Sequence, residues 1–236
     1  MKDIIDLPVE HYLEKIRNNQ PFSLSRFGDG EVLCMFHNGW LHENCDGSKF
    51  SDDLVEPMKQ IFRNQYPYYH CLLDCSFDLN GGIFKQFMEQ TCPDMDFYNG
   101  EIWQHLSFSE RITELIETIS VHNPVFVGGS HLDKLAEMKR MGDMYLIQTP
   151  EKDSFQKFHA IYDLIMVAHG NGARFFGFCT GYTSKILIDT LFPYIGHDSF
   201  LIDFGSVFDP YCGRLSRDGM KFKGIEYFRQ FTNAEL

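Results

Sequence analysis

The strongest constraint on how this chain folds is the alternation of short apolar runs with helical periodicity between about residues 107 and 205. Val125–Gly129, Met144–Gln148, Phe175–Cys179 and Phe200–Phe204 read as strands. The segments around them carry apolar residues three and four apart, the spacing of one helical face. Ser107 and Glu110 form a capping box ahead of Ile112, Leu115, Ile116 and Ile119. Leu132–Met141 reads as a helix. Asp153 and Gln156 form a second box, with Phe155, Phe158, Tyr162 and Ile165 on the helix it opens. Thr183–Leu191 is a helix that Pro193 stops. Short strands this apolar bury both faces, and helical crossovers make neighbouring strands parallel. The expectation is an α/β fold with a mostly parallel sheet flanked by helices.

The first half is consistent with that architecture. Val9, Tyr12, Leu13 and Ile16 share one helical face within Pro8–Ile16, and Pro8 suits the first turn. Phe22–Ser25 is a short strand, and a helix begins within Val32–Phe36. Residues 37–50 read as a polar loop. Ser51 caps a helix presenting Leu54, Met58, Ile61 and Phe62. Tyr69–Ser76 reads as a strand and Ile83–Gln90 as a helix. No internal repeat or long linker interrupts the 236 residues, which read as one domain spanning 1–236.

Composition narrows the function classes. No apolar run is long enough to span a membrane, and the start, MKDIIDLPVEH, is too charged for a secretory signal. Seven cysteines, at 34, 45, 71, 75, 92, 179 and 212, include no CxxC pair, which argues against a disulfide framework or zinc site. A cytoplasmic location is therefore expected. The net charge of −12 disfavours broad binding to a nucleic-acid backbone and leaves open only a local basic groove, with Arg214, Arg217, Lys221 and Lys223 as a late basic cluster. Neither HExxH nor GxSxG occurs, which argues against a zinc protease and an α/β-hydrolase triad.

In open parallel sheets, ligands bind beyond the C-terminal ends of the strands. Five such ends carry chemistry. In SRFGDGE (25–31), Gly28 and Gly30 let the backbone turn, and Asp29 and Glu31 stand two residues apart. Two carboxylates this close repel unless a cation lies between them, and Mg²⁺ or Mn²⁺ favours such oxygen ligands. Arg26 beside them suits a phosphate. Equally, Asp29 reads as a helix cap. VGGSH (127–131) and QTPEKDSF (148–155) are the second and third ends. In GFCTGYTSK (177–185), Gly181, Thr183 and Ser184 either offer backbone amides to a phosphate or simply cap a helix. In IDFGSVFDPYCGRLSR (202–217), Asp203, Asp209, Arg214 and Arg217 form either a ligand-binding loop or a stabilising ion pair. His131 and His169 lie near element ends.

SRFGDGE resembles the R-x-G-D-G-E signature of glycosyltransferases with the GT-D fold. IDFGSVFDP is similar to that family's C-terminal Asp-x-Gly segment. The resemblance runs from about residue 20 to 210, although the loop after Asp203 departs from the bacterial pattern. It implies a Rossmann-like fold and a metal-dependent glycosyltransferase, moving a hexose or pentose. It also implies a nucleotide-sugar donor, with a UDP-sugar expected, and Mn²⁺ or Mg²⁺ as cofactor. On this reading Asp29 and Glu31 bind the metal. Arg26, Gly28, Gly30, Gly181, Thr183, Arg214 and Arg217 face the donor. Asp203, Asp209 and His169 are candidates for the base that takes the acceptor's proton. The acceptor is a glycan, a glycoprotein or a modified nucleic-acid base. A metal-dependent phosphohydrolase acting on nucleotide sugars and a non-catalytic nucleotide-binding module are the alternatives.

Overall fold

The computed structural model describes residues 3–36, 43, 47, 49–73, 76, 79–138 and 140–232. Most of the loop expected over 37–50 lies outside these residues.

The seven strands are β1 (Ser23–Phe27), β2 (Tyr69–Leu72), β3 (Phe97–Asn99), β4 (Val125–Gly128), β5 (Tyr145–Gln148), β6 (Phe175–Cys179) and β7 (Phe200–Asp203). They form one sheet in the order β3-β2-β1-β7-β6-β4-β5, with every pairing parallel. The ten helices among the described residues are α1 (Val9–Arg17), α2 (Asp29–Phe36), α3 (Asp52–Asn64), α4 (Ile83–Thr91), α5 (Ile102–Ser107), α6 (Ile112–Ser120), α7 (Phe158–Gly170), α8 (Tyr182–Ile195), α9 (Asp218–Lys223) and α10 (Ile225–Thr232). The expected parallel α/β fold is the observed one.

Side-chain alternation along the strands divides the core in two. Phe176 and Phe178 of β6 pack with Phe27, Leu72 and Leu201 beneath α2, α3, α4, α7 and α8. Phe175 packs with Leu24, Phe126, Phe200 and Phe204 against α1, α5 and α6. Successive strand residues point to opposite faces, so one phenylalanine-rich run serves both layers. Gly177, between them, sits in close contact with the other layer's rings. A Cβ there would sit 3.0 Å from the Phe126 ring and 3.1 Å from that of Phe204.

Several local expectations are corrected. Ser107 ends α5, and its hydroxyl donates to the Val207 carbonyl at 2.8 Å, so it caps nothing. Helix α6 starts at Ile112 without a side-chain cap. Asp153 has left-handed backbone (φ 52°) and makes no cap bond. Its carboxylate accepts the Lys49 N–H at 3.1 Å, and α7 starts only at Phe158, after a 3₁₀ turn. Tertiary partners outcompete the local caps in both places. Leu132–Met141 is not an α-helix; a 3₁₀ segment spans Ser130–Glu137. Pro193 lies inside α8, in its last turn, where it removes one helical N–H without ending the helix. The strand expected over Tyr69–Ser76 closes at Leu72, and residues 74 and 75 lie outside the described set. Helix α2 begins at Asp29, not Val32, so the Asp-Gly-Glu triplet forms its first turn. Acidic groups there complement the helix dipole.

Candidate functional site

All five strand-end segments line one cleft at the C-terminal edge of the sheet. Its walls include Glu31, His131, Glu151, Gly181, Lys185, Gly205, Asp209, Arg214 and Arg217. Strands β1 and β7 are parallel neighbours, so the turns that follow them emerge together.

The inner wall is built around Lys185, one turn into α8. Its ammonium lies 3.0 Å from Glu31 Oε1 and 3.0 Å from Asp203 Oδ2, and donates to the Gly181 carbonyl at 3.1 Å. Side chains of all three charged residues are nearly or fully buried. Burial opposes the charge on Lys185, but Asp203 and Glu31 outweigh it and raise its pKa. Burial likewise opposes ionisation of Glu31. Lys185, the Gly28 N–H and the charge of Arg217 overcome that and lower its pKa. The second Glu31 oxygen accepts that N–H at 2.8 Å. Burying three charges costs less when each is paired and hydrogen-bonded.

Asp203 is fully buried and anchored. It accepts the Arg26 N–H at 3.2 Å and the Gly205 N–H at 3.0 Å, as well as Lys185. Gly205 has φ +59°, a conformation that lets the chain turn out of β7 into the cleft. The Arg26 guanidinium is held by the Gly100 carbonyl (2.8 Å) and the Phe204 carbonyl (3.1 Å). It therefore ties the end of β7 to the turn after β3. Asp29 is exposed at the start of α2, where its Oδ1 accepts the Gly30 N–H at 2.9 Å. Gly181 precedes α8 with φ +59°, and Thr183 is buried, its hydroxyl bonded to that of Ser154 at 2.8 Å. His169 is elsewhere. It pairs with Asp198 at 3.2 Å, beside the N-terminal ends of β6 and β7 and away from the cleft.

The outer wall holds a second network. Asp209, 10% exposed, accepts from His131 Nε2 at 3.0 Å. His131 Nδ1 is 3.5 Å from Glu151 Oε1 and 3.5 Å from Arg214 Nη1, and Arg214 pairs with Glu151. Arg217 contacts the Ser206 hydroxyl at 3.4 Å.

Among the described residues, no three His, Cys, Asp or Glu side chains are grouped to hold a metal. Glu31 already has its cation in Lys185, which leaves Asp29 as the exposed carboxylate of the pair. This donor set does not fit an ion held by protein alone. It fits one that takes a single carboxylate and completes its shell with substrate phosphates and water, as Mg²⁺ commonly does.

Lys185 was not singled out by sequence reasoning. Its signal was a lone cation leading the apolar stretch ILIDTL, on a helix that packs into the core. His131 was visible only as a histidine after a strand; nothing local pairs it with Asp209, 78 residues away.

No protein-family model matches the chain, and no curated protein matches it in sequence. Solved structures do share its fold. One, a selenomethionine-substituted domain of unknown function 1792, is 20% identical over 88% of this chain and 80% of that one, with a TM-score of 0.59. Another is described as showing that this highly conserved domain "has a distinct glycosyltransferase fold"; it is 19% identical over 88% and 80%, with a TM-score of 0.59. A third is described as a new glycosyltransferase of the same domain type from Streptococcus sanguinis. It is 16% identical over 89% and 84%, with a TM-score of 0.64. At these identities the likeness establishes the fold, which is that of a described glycosyltransferase. Among the described residues, no helix is long and apolar enough to cross a membrane.

Proposed function

We propose that this protein transfers a sugar from a nucleotide-diphosphate donor, a UDP-sugar in the first instance, to a hydroxyl acceptor. The observation that carries the reading is the convergence of Lys185, Arg214 and Arg217 with Glu31 and Asp209 in one cleft at the C-terminal sheet edge. Breaking the sugar–phosphate bond leaves negative charge on the diphosphate. Cations held in place by the fold stabilise that charge without having to reorganise as water does. Arg214 and Arg217 are the groups on the outer wall suited to a phosphate. Lys185 acts from below by holding Glu31 and the end of β7 in place. Mn²⁺ or Mg²⁺, when bound, would be held by Asp29 and would neutralise charge on the donor phosphates.

Incubating the protein with a panel of nucleotide sugars, with and without Mn²⁺, tests this. The expected result is nucleoside diphosphate release that a hydroxyl acceptor accelerates. Hydrolysis that no acceptor accelerates would replace the transferase with a phosphohydrolase. Nucleotide-induced stabilisation without turnover would replace it with a binding module.

A further inference from the structure

We infer that His131 is the catalytic base of the transfer and that Asp209 is its positioning residue, an assignment that rests on the sugar-transfer reading above. Of the carboxylates considered for this role, Asp203 has no exposure and three donors, and so cannot reach an acceptor. His169 lies at the other end of the sheet. Asp209 lines the cleft, but His131 occupies its Oδ1 at 3.0 Å. The pair is well buried, at 14% and 10% side-chain exposure, and both residues line the same cleft as Lys185.

A carboxylate only accepts hydrogen bonds, so His131 Nε2 carries the proton and Nδ1 the lone pair. The charged groups facing Nδ1 are Glu151 and Arg214, both at 3.5 Å, too far for a strong hydrogen bond. Asp133 and Lys134 on the same 3₁₀ segment are exposed. In the neutral imidazole whose Nε2–H is taken by Asp209, the lone pair lies on Nδ1, where an acceptor hydroxyl can meet it. In the step itself, the acceptor oxygen forms its bond to the anomeric carbon as its proton moves to Nδ1. The anomeric carbon–oxygen bond to the diphosphate breaks, and its electron pair leaves with the diphosphate. The imidazolium that results has Asp209 at one nitrogen and Glu151 near the other, so both neighbours stabilise the charge it gains. Displacement of this kind inverts the anomeric configuration.

The test uses the full chain with UDP and UDP-sugars as probes, reading UDP release and the melting temperature. His131→Gln is expected to keep the UDP-induced thermal shift of the wild type. It should lower the rate of UDP release ~100-fold or more, the range of general-base contributions, and flatten the acidic limb of the kcat profile. Asp209→Asn should lower kcat less, with KM for the donor unchanged, and displace that limb. If His131→Gln fails to fold, the Asp209→Asn profile alone decides. An unmoved limb in Asp209→Asn, a His131→Gln rate within about threefold of wild type, or a product of retained configuration overturns the assignment. Each of these leaves the transferase reading standing. A wild type that neither shifts with UDP nor releases it from any UDP-sugar overturns both.

Discussion

Lys185 lies 3.0 Å from Glu31, and this one contact joins the N-terminal carboxylate motif to a helix 154 residues later. The same ammonium lies 3.0 Å from Asp203, so it bridges carboxylates of the first and last strand-end segments.

Replacing Lys185 with Met should therefore be severe. It would leave Glu31 and Asp203 charged, buried and without their cation. Breaking a buried pair from one side costs about 3–5 kcal/mol. Urea denaturation at neutral pH measures it, and a loss below about 1 kcal/mol would show that the network is not structural. Because the folded pKa of Glu31 is depressed, its contribution is present above the ordinary glutamate range and is lost as pH falls through the folded value. The stability gap between wild type and Lys185→Met should narrow in acid.

Asp29→Asn and Glu31→Gln should separate, although the two residues share one motif. Asp29 is exposed, and an asparagine oxygen can still accept the Gly30 N–H, so stability should change by less than about 0.5 kcal/mol. The variant should lose the extra thermal stabilisation that Mn²⁺ adds to UDP. Glu31→Gln should destabilise the fold, because Lys185 would keep only one carboxylate. Equal melting temperatures for the two variants would contradict this division.

Arg217→Ala should weaken UDP binding at least about tenfold, near 1.4 kcal/mol. That exceeds the ~0–1 kcal/mol of an ordinary surface ion pair. Arg217 lines the cleft and its charge helps depress the Glu31 pKa. Titration calorimetry with UDP measures the change, and an unchanged affinity would remove Arg217 from the donor site.

Asp189→Asn should make the protein more acid-labile between pH 7 and 5. Burial raises the Asp189 pKa to about 6, against hydrogen bonds from Asn64 and Tyr68. The native state then binds a proton that the unfolded chain does not, so this group adds stability as pH falls toward 5. Buried His70, stacked on Tyr68, is pushed down to about 4 and does the reverse, favouring the unfolded chain below its ordinary value of 6.5. Removing Asp189 leaves His70 unopposed. Melting temperatures across that range should fall more steeply than in wild type, by the equivalent of about 1 kcal/mol. Parallel curves would contradict it.

The periodicity of apolar residues determined the parallel α/β architecture, because burial on two faces of a strand or one face of a helix is written locally. It failed for β3, whose three residues, Phe97–Asn99, are too few to show a pattern. The capping boxes at Ser107 and Asp153 failed for another reason: both side chains had partners elsewhere in the fold. The five strand-end segments were also legible, since Gly, Asp and Arg cluster where strands turn, and all five line one cleft. What only the tertiary structure decided is which charge meets which. Glu31 and Asp203 lie 172 residues apart and share Lys185, while Asp209 meets His131 across 78 residues. A side chain's charge partners depend on distances of a few ångströms between elements remote in the chain, and composition and spacing do not encode those distances.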